Sequence, residues 1–148
     1  MSKRISFDTT LQVRDTCLCL SVQRAARALA RSFDDALRPA GLTNGQFSLL
    51  MALNRPKPPA MAPVAQLLAM DRTTLTAALK PLEREGLVRI EPDPADKRSR
   101  LLTLTDKGHA VLARALPIWQ ELHSAVEGSL AEINPDTLRT GLKNLGSP

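Results

Sequence analysis

Tyrosine is missing from this 148-residue chain, and three phenylalanines with one tryptophan bring the aromatics to only 3%. A core so poor in aromatics and rich in Ala and Leu favours helix over sheet. Cysteine is almost as scarce. Cys17 and Cys19 are the only two, and two residues apart on a helix they point to nearly opposite sides, so they cannot bridge each other there. Two cysteines and two distant histidines, His109 and His123, do not make a zinc-site spacing, and no metal or other cofactor is expected. Both histidines read as surface or interface residues. Neither lies in a recognisable setting with a nucleophile, which argues against an enzyme. No apolar run approaches the roughly 20 residues that cross a bilayer, and the opening Met1-Ser2-Lys3-Arg4-Ile5-Ser6-Phe7-Asp8 lacks the apolar core of a signal peptide. The expectation is a soluble, cytoplasmic protein without a membrane partner.

Acidic residues are outnumbered 15 to 20, a net charge of +5, which suits a polyanionic partner. The excess is unevenly placed. Residues 1–60 hold nine Lys/Arg against four Asp/Glu, whereas residues 61–148 hold eleven of each. Any polyanion contact from the second part must therefore use a few placed cations.

The apolar content of 43% can build a core, and its spacing outlines the elements. From about Asp15 to Leu37, apolar residues at Leu18, Val22, Ala25, Leu29, Phe33 and Ala36 mark an amphipathic helix. Arg24, Arg27, Arg31 and Arg38 form a second stripe, with Asp34 and Asp35 in reach of Arg31 and Arg38. Pro39 and Gly41 stop this helix. Thr43 or Asn44 can cap a second one carrying Phe47, Leu50, Met51 and Leu53, which the run Arg55-Pro56-Lys57-Pro58-Pro59 ends. Two short helices are predicted next. The first spans about Pro63–Ala69 with Val64, Leu67 and Leu68 inward. The second follows the cap Asp71, carries Leu75, Leu79 and Leu82 on one face, is bent by Pro81 and ends at Gly86. Leu87 to Ile90 reads as a strand, Glu91 to Arg98 as a charged turn, and Leu102-Thr103-Leu104 as the returning strand. Thr105-Asp106 caps a long helix to about Ile133, some 40 Å at about 1.5 Å per residue. Its stripe is Val111, Leu112, Leu116, Trp119, Leu122, Val126 and Leu130, and Pro117 should kink it. Asn134-Pro135 opens a last helix with Leu138, Leu142 and Leu145.

Two short helices, a capped turn and a hairpin with a charged tip form the winged helix-turn-helix layout, so the fold class is mainly α with a small β-hairpin wing. A helix entering a major groove needs small hydrogen-bonding side chains on its first turns. Arg72, Thr73, Thr74 and Thr76 supply them, and a helix N-terminus favours nearby phosphate. Lys80, further along, can reach a phosphate. In the turn, Asp93-Pro94-Ala95-Asp96-Lys97-Arg98-Ser99-Arg100 puts three cations beside two acids. Asp93 and Asp96 can brace an Arg fork or accept backbone N–H groups, holding Lys97, Arg98 and Arg100 in one pose, with Arg98 aimed at a minor groove.

Gly41-Leu42-Thr43 with Gln46-Phe47, the helix after Asp71, Glu85-Gly86-Leu87-Val88, the Asp93-to-Arg98 tip and Leu104-Thr105-Asp106-Lys107-Gly108 together resemble the MarR family of bacterial transcriptional regulators. The similarity runs from about Asp15 to Leu145. It implies an intertwined homodimer on a pseudo-palindromic double-stranded DNA operator. Residues 41–108 would form the DNA-binding domain, and residues 1–40 and 109–148 the dimerisation region.

The resemblance also implies a small-molecule effector, aromatic or acyl, that releases a repressor from DNA. Arg24 or Arg27, with Trp119, are its candidate anchors, although an Arg stripe laced with ion pairs and a Trp in the core or dimer interface are the commoner arrangements. Cys19 matches the position of the reactive cysteine in the hydroperoxide-sensing branch of the family. That branch activates its thiolate with tyrosines, and this chain has none, so a packed, inert thiol is the default reading. A thiol-based oxidant sensor using Cys19 is the alternative within the fold. A helical scaffold dimer without DNA binding is the alternative outside it.

Overall fold

The computed structural model describes residues 4–147, so residues 1–3 of the stretch read for a leader lie outside it. Seven α-helices and one hairpin follow in order: α1 Phe7–Thr16, α2 Leu18–Leu37, a 3-10 turn Arg38–Ala40, α3 Asn44–Leu53, α4 Met61–Leu67, α5 Arg72–Arg84, β1 Val88–Asp93, β2 Asp96–Leu104, α6 Asp106–Gly128 and α7 Pro135–Gly146. No helix of the described residues is long and apolar enough to cross a membrane.

The N-terminal region holds one more helix than its apolar spacing predicts. Ser6 caps α1 by accepting from the amide of Thr9, and no residue of α1 is buried. Cys17 breaks the run with ψ 110° and caps α2, its Sγ accepting from the amide of Leu20. Asp35 pairs with Arg38 at 2.7 Å as the charge spacing suggests, but Asp34 does not turn to Arg31. Its Oδ1 accepts instead from the backbone amide (2.7 Å) and side-chain amide (2.8 Å) of Asn44, tying α2 to the start of α3. The backbone amide of Asn44 chiefly holds the Asp34 carboxyl below the usual carboxylate range. Thr43, not Asn44, caps α3 through a reciprocal capping box with Gln46.

One buried cluster joins Leu37, Leu42, α3, α4, α5, the hairpin and the first half of α6. Leu75, Leu79 and Leu82 of α5 are fully buried, as their shared face predicts. In α4 the inward set differs from expectation. Met61, Val64 and Ala65 are buried, whereas Leu67 is 62% exposed. The helix starts at Met61, two residues before the position read from the sequence, and its inner face is centred on Met61, Val64 and Ala65. The hairpin is longer than its apolar residues suggest: β1 and β2 are antiparallel from Val88↔Leu104 to Asp93↔Asp96. The chain after the prolines also docks on it, with the amide of Leu102 donating to the Pro59 carbonyl (2.9 Å) and a bridge between Ala60 and Leu101.

α6 runs through Pro117 and ends at Gly128, five residues short of Ile133, with Ala131 beyond it in the left-handed region. Val111, Leu112 and Ala115 are buried. Further along, Leu116, Trp119, Leu122 and Val126 are only half-buried. Asn134 caps α7, accepting from the amides of Asp136 and Thr137. Leu138, Leu142 and Leu145 of α7 lie exposed, as do Leu18, Val22 and Leu29 of α2.

Candidate nucleic-acid interface and effector cavity

Asp71 sets the entry of α5. Its Oδ1 accepts from the amide of Thr74 at 2.7 Å, and that bond holds the carboxyl below its ordinary range. With Leu75, Leu79 and Leu82 directed inward, Arg72, Thr73, Thr74, Thr76 and Lys80 all lie on the exposed side. The hydroxyl of Thr76 donates back to the Arg72 carbonyl (2.8 Å), so only its methyl and lone pairs remain for an outside partner.

At the far end, α5 is fastened to the start of α6. Gly86 takes φ 74°, where a side chain is strained. The Thr105 hydroxyl donates to the Gly86 carbonyl (2.6 Å) and also caps α6 by accepting from Gly108 N (3.0 Å). Lys107 Nζ donates to the Glu85 carbonyl at 2.8 Å, and the amide of Thr105 donates to the Leu87 carbonyl at 3.1 Å. Gly108 fits here because a Cβ would stand 2.2 Å from that same carbonyl oxygen. The stretch Leu104-Thr105-Asp106-Lys107-Gly108 therefore serves as a clasp. It fixes the direction of α5 relative to the hairpin and α6.

Of the two ways in which the tip acids could act, the backbone one is present. Asp93 accepts from the amide of Ala95 (2.9 Å), and Asp96 accepts from the amide of Arg98 (3.0 Å). No ion pair forms between either acid and Arg98 among the described residues; the hairpin's pair there is Arg89–Glu91 at 3.3 Å. Lys97, Arg98 and Arg100 are exposed.

Two adjoining cavities lie along α3 and α6, the larger closed by α4 and the smaller by α2. One, of about 390 Å³, is lined by Phe47, Ser48, Met51, Ala52, Leu67 and Trp119. The other, of about 240 Å³, is lined by Phe33, Leu37, Asn44, Phe47, Ser48, Trp119 and His123. Trp119 thus stands at their boundary, its ring stacked on Phe47 (6.0 Å) and on His123 (4.5 Å, 9° between planes). Arg24 and Arg27 line neither cavity, whereas Trp119 lines both. His123, read from the sequence as a surface or interface residue, is half-buried and lines the smaller cavity. Cys19 is exposed rather than packed, with Gln23 Nε2 donating to its Sγ at 3.2 Å.

The MarR family model matches residues 40–99, the segment from the α2–α3 turn into the tip of the hairpin. Over nearly the whole chain, the crystal structure of the DNA-bound transcriptional regulator MosR of M. tuberculosis is similar. It is 38% identical, with a TM-score of 0.79, over 88% of this chain and 93% of that one. The chain belongs to the MarR family. The fold is accordingly the winged helix of that family, mostly helical with a two-stranded antiparallel hairpin. The transcriptional repressor CouR, solved with p-coumaroyl-CoA, is also similar, with 29% identity, a TM-score of 0.78 and coverage of 90% of this chain and 94% of that one. A curated relative is the transcriptional activatory protein BadR of Rhodopseudomonas palustris, 34% identical over 97 residues. That match takes in 64% of this chain and spans about half, 55%, of BadR. These relatives point to transcriptional regulation rather than to an enzyme.

Proposed function

We propose that the chain is an effector-responsive, DNA-binding repressor that acts as a homodimer on a pseudo-palindromic operator. Residues 41–108 form its reading head, and residues 1–40 and 109–148 its dimerisation arms. The observation that carries this reading is the pairing of two exposed polar elements on one rigid frame. The Asp71-capped start of α5 presents Arg72, Thr73 and Thr74, and the tip of the hairpin presents Arg98 and Arg100 on a loop braced by Asp93 and Asp96. A helix N-terminus can enter a major groove while a basic hairpin reaches the adjacent minor groove. Two copies double a small set of contacts, which suits a chain whose excess charge lies outside this region. Dimerisation is supported by the leucines left exposed on α2 and α7, because such apolar stripes require a partner.

The test is a gel shift on the DNA upstream of the chain's own gene, read across a salt series. The parent should bind with a steep salt dependence, and Arg98→Ala should weaken binding by tenfold or more per dimer, at about 1–3 kcal/mol per lost groove contact. Binding unchanged by Arg98→Ala would favour the helical scaffold dimer. A compound screen scored by release of that DNA then identifies the effector and the sign of regulation.

The exposure of Cys19 favours a second reading, a thiol-based oxidant sensor. If Cys19→Ser loses DNA on hydroperoxide treatment as readily as the parent, that reading fails.

A further inference from the structure

The smaller cavity is walled by rings, aliphatic side chains and the neutral polar groups of Asn44 and Ser48. Among the described residues no Lys, Arg, Asp or Glu lines it, and His123 is its one titratable side chain. Behind the cavity wall, His123 Nε2 lies 3.0 Å from Glu127 Oε1. Arg139 of α7 donates to that same oxygen and is also held by Asp136 at 2.7 Å. The other acid near this wall is Asp34 of α2, which is occupied by Asn44. A carboxylate can only accept, so the neutral imidazole carries its hydrogen on Nε2 and a second proton goes to Nδ1. The imidazole face is stacked against the Trp119 ring at 4.5 Å. The hydrogen bond from Arg139 chiefly keeps the Glu127 carboxyl below the usual carboxylate range, so its charge is in place throughout the titration of a histidine.

Resting on the reading of the chain as an effector-responsive regulator, we propose that His123 is the specificity-determining residue of this cavity. An anionic planar occupant binds together with one proton, taken from water by Nδ1 and returned when the occupant leaves, whereas a neutral occupant of the same shape binds without it. Arg24 and Arg27 do not line the cavity, Arg38 is paired with Asp35 and Arg139 with Glu127 and Asp136, so His123 is the lining side chain that can offer an anion a counter-charge. Glu127 and Arg139 are positioning residues that hold the ring upright against Trp119.

Trp119 is the sole tryptophan of a chain without tyrosine, so intrinsic fluorescence reports on this one place. The experiment titrates the full chain with benzoate and with its neutral counterpart benzamide from pH 5.5 to 8.5, and repeats the titration on His123→Gln and Glu127→Gln. For the parent, benzoate affinity should fall as pH rises across this range, while benzamide affinity stays level. His123→Gln, which can still donate to Glu127, should bind benzoate weakly and with no pH dependence while keeping benzamide. Glu127→Gln leaves the cavity wall intact and should move the fall in benzoate affinity to lower pH. Benzoate binding that is level with pH in the parent, or equally pH-dependent in His123→Gln, overturns the proposal and leaves the effector reading standing. If neither probe changes the Trp119 emission at any pH, the proposal also fails. The effector reading is then decided by the DNA-release screen alone.

Discussion

Gly108→Ala sets two rules for the same substitution against each other. In an open helical position alanine is favoured over glycine by about 0.5–1 kcal/mol, because glycine loses more backbone freedom on folding. Gly108 lies in the first turn of α6, so propensity alone gives a more stable protein. The geometry gives the reverse. A Cβ would stand 2.2 Å from the Leu87 carbonyl oxygen and 3.3 Å from Leu104 Cδ2. Neither backbone can yield freely, because the Leu87 carbonyl is hydrogen-bonded by Thr105 N and the adjacent Gly86 carbonyl by the Thr105 hydroxyl. Forcing packed groups apart costs about 1–3 kcal/mol, which for a chain of this length lowers the melting temperature by a few to roughly ten degrees. Circular dichroism melts of the parent, Gly108→Ala and Gly45→Ala decide the matter. Gly45 has open space where its Cβ would go, so its substitution should be neutral or slightly stabilising. A melting temperature for Gly108→Ala equal to or above the parent's would refute the clasp as a rigid joint.

Leu67→Ser should change stability by less than about 0.5 kcal/mol because the side chain is exposed, while Leu79→Ala in the buried face of α5 should cost about 2–5 kcal/mol in a denaturant melt. Asp71→Ala should lower the melting temperature at neutral pH by a few degrees through loss of the cap. The native Asp71 carboxyl titrates below its unfolded value of about 3.9, so its contribution is complete above that pH and drains away as pH falls through the native value. The gap between parent and Asp71→Ala should therefore close in acid, and a gap constant from pH 7 to 2 would contradict this. Leu142→Glu on the exposed stripe of α7 should shift the chain from dimer to monomer in analytical ultracentrifugation, and an unchanged sedimentation profile would remove α7 from the interface.

Elements with strong local punctuation were legible in the sequence. Asp71, Gly86, Thr105 and Asn134 each mark a helix end through a hydrogen bond or backbone angle that a few neighbouring residues determine. The alternating residues of the hairpin likewise located its strands. What the sequence hid depends on distant packing. Helix α1 buries none of its residues, so no apolar stripe announces it. The short α4 offers few positions to fix its rotation, so its apolar spacing points Leu67 inward although the side chain is exposed. The candidate site divides in the same way. The exposed groups of α5 and of the wing tip follow from local order. The absence of Arg24 and Arg27 from the cavity linings, and the presence of His123 in one, arise from how α2 and α6 lie against α3.

The clasp between the end of α5 and the start of α6 also has a mechanical meaning. With Thr105 and Lys107 gripping the carbonyls of Glu85, Gly86 and Leu87, and Gly108 allowing the close approach, the two helices turn as one piece, like a crank on its shaft. The 23 residues of α6 reach about 35 Å from that joint. A swing of only a few degrees at the far end of α6 therefore carries the tip of the hairpin and the face of α5 with it, without any bond in the reading head being broken.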